Sequence, residues 1–169
     1  QERVAREAKK TFMSLTVRVE NAASIRARLN NGYRIVGYDP SRYGDIESGG
    51  ARLLMRKDLV SEVLPFAKEA MIKRFKNGKI PTVVFSHPET THQDIELAVP
   101  VDTTGPVDYA AHELISALLQ SGYIGTGLLR ATEVDQEGEN RSYFILQKKD
   151  SGIIVEKLQQ PVTVRNEYS

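Results

Sequence analysis

Leu15, Val17 and Val19 alternate with Thr16, Arg18 and Glu20, the two-residue period of a strand with one buried face. Ahead of it, Val4, Ala8 and Phe12 recur at helical spacing in a stretch rich in Ala, Glu, Lys and Arg, which predicts a short amphipathic helix across residues 1–10. Asn21 then reads as the N-cap of a helix with Ala22, Ile25 and Leu29 on one side. Asn31-Gly32 stops that helix, because glycine accepts the left-handed conformation after a last turn and Tyr33 can add an apolar contact behind it. A strand over Arg34–Tyr38, an exposed loop over Asp39–Gly50 and a returning strand over Ala51–Arg56 complete the unit.

The same plan recurs from Asp94. Ile95, Leu97, Val99 and Val101 alternate as a strand, and Gly105-Pro106 opens a helix with Val107, Ala111, Leu114, Ile115 and Leu118 on one face. That helix also stops at Gly-Tyr: Gly32-Tyr33-Arg34-Ile35-Val36-Gly37 and Gly122-Tyr123-Ile124-Gly125-Thr126-Gly127 share the pattern Gly-Tyr-x-x-x-Gly. After a polar loop, Leu53–Asp58 lines up with Ile145–Asp150. Features repeated in one order at nearly constant offset predict an α+β fold of internally duplicated β-α-β-β units, with a mainly antiparallel sheet and helices on one face.

Between the repeats, Leu59, Val60, Val63, Leu64, Ala67, Ala70, Met71 and Phe75 mark a long linking helix, with Pro65 kinking it or starting its main part. Pro81–Phe85 reads as a strand, and Ile153–Lys157 as a last strand before a polar tail. The expected layout is a single domain, 1–169, with repeat one at 12–58, the linking helix and strand at 59–92, repeat two at 93–150 and the C-terminal strand and tail at 151–169.

The 169 residues contain no cysteine, which excludes disulfides, thiolate metal sites and a cysteine nucleophile, and fits a cytoplasmic or virion setting. No run reaches the roughly 18 apolar residues of a membrane-spanning helix, so no membrane partner is expected, and Gln1–Arg6 does not resemble a signal peptide. The chain opens on glutamine rather than methionine, as a processed product or a fragment would.

The net charge is only +1, which argues against a dedicated nucleic-acid binder, but its distribution is uneven. Residues 1–79 carry 17 Lys and Arg against 9 Asp and Glu, residues 80–139 carry 1 against 10, and residues 140–169 carry 5 against 3. Blocks of opposite sign attract, either within one fold, where they cancel, or between copies.

His87-Pro88-Glu89-Thr90-Thr91-His92-Gln93-Asp94 is the densest group of reactive side chains, yet its spacing fits no metal motif and a polar hairpin accounts for it. His112 and Glu113 lie on the second helix with nothing beside them to act as a nucleophile. The glycines near Gly122 follow a helix and enter a strand, the reverse of a dinucleotide loop, and no nucleophile elbow or Walker lysine is present. No catalytic residue, metal or cofactor is therefore expected.

Glu96 stands out because it lies in an apolar strand, where it faces water by alternation or else lines an interior pocket suited to a cation. His92–Val101 and Thr104–Tyr109, within residues of about 59–148, resemble the gyrase-inhibitor-like, or effector-binding, superfamily. That resemblance implies a duplicated strand, helix, strand, strand unit with a groove between repeats for small cationic or aromatic ligands, and it carries over Glu96 alone as a ligand-binding residue.

Three functional expectations follow. The first is a non-enzymatic structural or assembly protein, a homo-oligomer or particle component whose partners are itself or other protein subunits. The second is an effector-binding module using Glu96. The third is a nucleic-acid-binding protein acting through its basic N-terminal half, with Arg18, Arg26 and Arg28 as its contacts.

Overall fold

The computed structural model describes residues 1–61, 66–83, 95–104, 106–134 and 140–149. Its elements run α1 (Glu2–Glu7), β1 (Phe12–Val17), α2 (Ala22–Asn30), β2 (Arg34–Asp39), β3 (Arg52–Asp58), α3 (Lys68–Lys76), β4 (Glu96–Asp102), α4 (Tyr109–Gln120), β5 (Tyr123–Arg130), a 3₁₀ turn (Ala131–Val134) and β6 (Arg141–Lys148). The fold is α+β. The strands form one sheet in the order β1-β3-β2-β5-β6-β4, with every named pair antiparallel.

α2 begins at the cap read from sequence and both sheet-crossing helices end at the glycines read from it, whereas α4 begins at Tyr109 behind an Asp108 cap, later than the expected opening at Gly105-Pro106. Asn21 and Asp108 accept the backbone N–H of Ser24 and Ala111, each at 3.1 Å. Gly32 and Gly122 take φ of 86° and 96°, a region closed to most side chains. At the first, Tyr33 N–H donates to Arg28 O and Gly32 N–H to Leu29 O, closing the paired bonds that satisfy a last turn. Tyr33 and Tyr123 are both buried just behind these glycines.

The two β-α-β-β stretches meet at β2 and β5 through one registered pair, Ile35 with Gly125. A Cβ on Gly125 would lie 2.6 Å from Ile35 Cβ, so glycine is what allows the strands this close. Both strands are irregular at this point: the register shifts between Ile35 and Gly37 in β2, and between Gly125 and Gly127 in β5.

One face of the sheet carries Leu15, Val17, Ile35, Leu53 and Met55, then Leu97, Val99, Val101, Phe144 and Leu146. α2 packs on it through Ile25 and Leu29, and α4 through Ala111, Leu114, Ile115 and Leu118. Each fully buried Leu or Ile contributes about 1.5–3 kcal/mol, and this layer forms most of the core. Helices on one face therefore describes α2 and α4. α3 lies on the other face, where it covers only β4, β5 and β6: Phe75 packs on Tyr143 with centroids 5.0 Å apart, and Met71 and Phe66 fill the space above Gly127.

Three expectations shift in detail. The first helix ends at Glu7 and Lys9 adopts φ 55°, so Phe12 starts β1 rather than lying on a helix face. The linking helix is described over Lys68–Lys76, and Thr82 makes a single parallel bridge to Ala98 where a strand was expected. The expected strand at Ile153–Lys157 and the cluster from His87 to Asp94 lie outside the described residues.

Candidate functional site

Glu96 is buried at 4% exposure, and the cation beside it is internal. Arg74 of α3 donates through Nε and Nη2 to its two oxygens at 2.9 and 3.2 Å, and Gln147 Nε2 donates at 2.9 Å. Alternation misplaces Glu96 because β4 is buried on both faces once α3 is docked. A cleft of about 390 Å³ opens between β4 and the start of α4, lined by Val99, Asp102, Val107, Asp108, Leu114 and Arg141, but not by Glu96. Both Asp108 oxygens there are engaged, by Ala111 N–H and Asp102 N–H.

Arg18, Arg26 and Arg28 are not brought together. Arg26 forks onto Glu133, with Nη2 to Oε2 at 2.6 Å, and its guanidinium also lies 5.7 Å from the Phe66 centroid. The hydrogen bond from Arg26 holds the Glu133 carboxyl below its ordinary range. Arg28 is exposed on α2, whereas Arg18 is exposed beyond β1 against Gly49. Two carboxylates of the acidic block, Glu96 and Glu133, thus neutralise cations of the basic block inside the fold.

His112 is 1% exposed and bridges the two halves. Tyr38 Oη lies 2.7 Å from Nδ1, and Glu20 Oε1 lies 2.9 Å from Nε2. Burial, ahead of the nearby carboxylates of Glu20, Asp39 and Glu113, pushes Tyr38 up to about 12, so its hydroxyl keeps its proton and donates to Nδ1. Nε2–H then donates to Glu20, and that bond is the main cause of the lowered Glu20 pKa. His112, read from sequence only as a residue of the second helix, is a buried tie between α4, β2 and the turn after β1. Neither His112 nor Tyr38 lines the cleft.

The open part of the sheet carries a different arrangement. On β1, Phe12, Ser14 and Thr16 share the face opposite α2 with Leu54 and Arg56 of β3, and Phe12 and Arg56 are exposed. The Arg56 guanidinium sits 4.0 Å from the Phe12 ring centroid. At the far end of the strip, Arg52 sits 4.8 Å from the centroid of Tyr43, which is 63% exposed.

Tyr43 is presented by a tightly bonded loop. Gly50 N–H donates to Asp45 O, Tyr43 N–H donates to Gly50 O, and Arg52 Nη1 donates to the carbonyls of Gly49 and Ala51 at 2.6 and 2.8 Å. A hydrogen bond with Thr16, ahead of one with Arg42, lowers the Tyr43 pKa. Arg34, paired in register with Arg56, donates to the carbonyls of Leu29 and Tyr33; burial pulls it down to about 10, which leaves it cationic at neutral pH. Two carboxylates lie on this stretch: Asp39 opposite Arg52, and Asp58 opposite Phe12, whose oxygens accept the N–H groups of Val60 and Ser61 and the Ser61 hydroxyl.

Sequence reading missed Phe12, Arg52 and Arg56 as a group. The available signal was the alternation Phe12-x-Ser14-x-Thr16 beside Arg52-x-Leu54-x-Arg56, which puts two arginines and a ring on one face. Among the described residues no group of three or more His, Asp and Glu could hold a metal, and no helix is long and apolar enough to cross a membrane. The chain matches no protein-family model, and no curated protein or solved structure matches it.

Proposed function

We propose that this protein binds nucleic acid through the face of β1, β3 and β2 that no helix among the described residues covers. One observation carries the reading: the exposed rings on that face, Phe12 and Tyr43, each have an arginine guanidinium over them. Rings beside cations supply both stacking surface and phosphate partners, the combination that sequence-tolerant nucleic-acid surfaces use. Internal pairing also explains why total charge is a poor guide here. Arg26 and Arg74 are spent on Glu133 and Glu96, while Arg18, Arg52 and Arg56 lie on or beside the open strip.

The test is fluorescence anisotropy of a labelled oligonucleotide from 50 to 200 mM salt. If three arginines each neutralise one phosphate, the log–log slope for a single strand is about −2. Replacing Arg52 and Arg56 by Ala together flattens the slope and weakens binding; no binding at low salt, or binding unchanged in the double variant, overturns the proposal. If the chain instead self-associates and the same double variant abolishes that, the face belongs to an assembly contact. The internal duplication of β-α-β-β units is part of the same reading, supported by the matched caps and strand irregularities.

A further inference from the structure

Resting on the reading above, we infer that the ligand is a single strand whose bases stack on Phe12 and Tyr43, and not a duplex held by charge alone. The two rings mark the ends of a strip. Tyr43 hydrogen-bonds Thr16, which is four steps along β1 from Phe12, a backbone span of about 13 Å at 3.3 Å per residue. Between them Ser14 pairs with Arg56, whose guanidinium reaches over Phe12, and Thr16 at the Tyr43 end pairs with the half-buried Leu54.

A strip with a ring at each end and an arginine beside each ring suits splayed bases, which offer π-faces that a paired duplex hides. The two guanidiniums are placed for different roles. Arg56 is exposed, and a base that takes its place on the Phe12 ring leaves the guanidinium free to meet the adjoining phosphate. Arg52 stays anchored to Gly49 O and Ala51 O while lying on Tyr43, so it fixes that ring and supplies a stationary positive charge. Arg18, against Gly49 in the same loop, extends the positive rim at this end.

The chain contains no tryptophan, so Phe12→Trp places a single, selectively excitable indole in the proposed stacking position. The experiment compares a twelve-residue oligothymidylate, a duplex of equal length and inorganic polyphosphate as ligands for the wild type, Phe12→Leu and Tyr43→Leu. Both rings are exposed, so each variant is expected to remain folded, which melting curves check. Each Leu variant weakens oligothymidylate binding about tenfold and leaves polyphosphate binding unchanged. In Phe12→Trp, emission is quenched by oligothymidylate and unaffected by polyphosphate. If all three ligands bind the wild type equally and the Leu variants match it, stacking is wrong while a polyanion surface stands. If none binds, both readings fall.

Discussion

On one side of a single sheet, the strands of the second unit carry Glu96, Ala98, Tyr143, Ile145 and Gln147 beneath α3, whereas those of the first carry Phe12, Ser14, Thr16, Leu54 and Arg56 in the open. Both regions place an arginine and an aromatic ring above a strand. Under α3 the arginine is Arg74, consumed by Glu96, and the ring is Phe75, packed on Tyr143. In the open region the arginine is Arg56 and its ring is Phe12, exposed at 45%. The same residue types close a core beneath α3 and stand exposed where no described helix covers the strands.

The contrast breaks most sharply if the arginine partners are compared. Glu96→Ala leaves Arg74 and Gln147 unanswered beneath α3 and costs about 3–5 kcal/mol, a fall in Tm of roughly 6–20 °C for a chain of this size. Arg56→Ala, at an exposed cation–π contact, costs about 0.5–1 kcal/mol. Thermal and urea unfolding of both variants measure the gap. Equal losses would mean that the open face is closed by something of similar weight.

A smaller difference is expected at the strand irregularities. A Cβ on Gly127 falls 2.7 Å from Met71 Cε and 2.8 Å from Phe66 Cε2, so Gly127→Ala displaces the α3 layer at about 1–3 kcal/mol. The corresponding Cβ on Gly37 meets Leu54 Cδ1 at 3.0 Å, and that half-buried side chain can turn toward solvent; Gly37→Ala costs about 1 kcal/mol or less.

Acid titration separates the regions in another way. The Glu133 pKa is lowered by Arg26, so its contribution is complete above the ordinary carboxylate range and is lost as pH falls through the depressed value. Glu20, lowered by the bond from His112, acts with the same sign. Melting temperature therefore falls on the acid side below about pH 4.3, the unperturbed carboxylate value, and Glu133→Gln removes part of that slope while Arg52→Ala and Arg56→Ala leave it in place.

Much of the architecture was legible in the sequence because it is written in local chemistry. Asn21, Gly32, Gly122 and the alternations of β1 and β4 specify caps and strands without reference to distant partners. What depends on a second layer was not legible. Glu96 and Gln147 look like the wet half of an alternating pattern until α3 is placed over them, and no local rule fixes which side of the sheet a linking helix will take. His112 could be placed on an amphipathic helix, but its partners lie 74 and 92 residues away along the chain. Arg26 looked like a ligand contact for the same reason, since Glu133 is 107 residues distant. The candidate strip was visible only as alternation in β1 and β3; what brings Phe12 beside Arg56 is a pairing register that spacing does not state.

The outer rim of β4 has a consequence for growth by accretion. Ala98 exchanges backbone bonds with Pro81 and Val83, Pro100 has no N–H to offer, and Asp102 N–H is taken by Asp108. End-to-end polymerisation through strands needs two receptive borders on every copy. With this border sealed, neighbours joining along β1 would stop at a pair, and the sheet has its fibre-forming direction terminated from within.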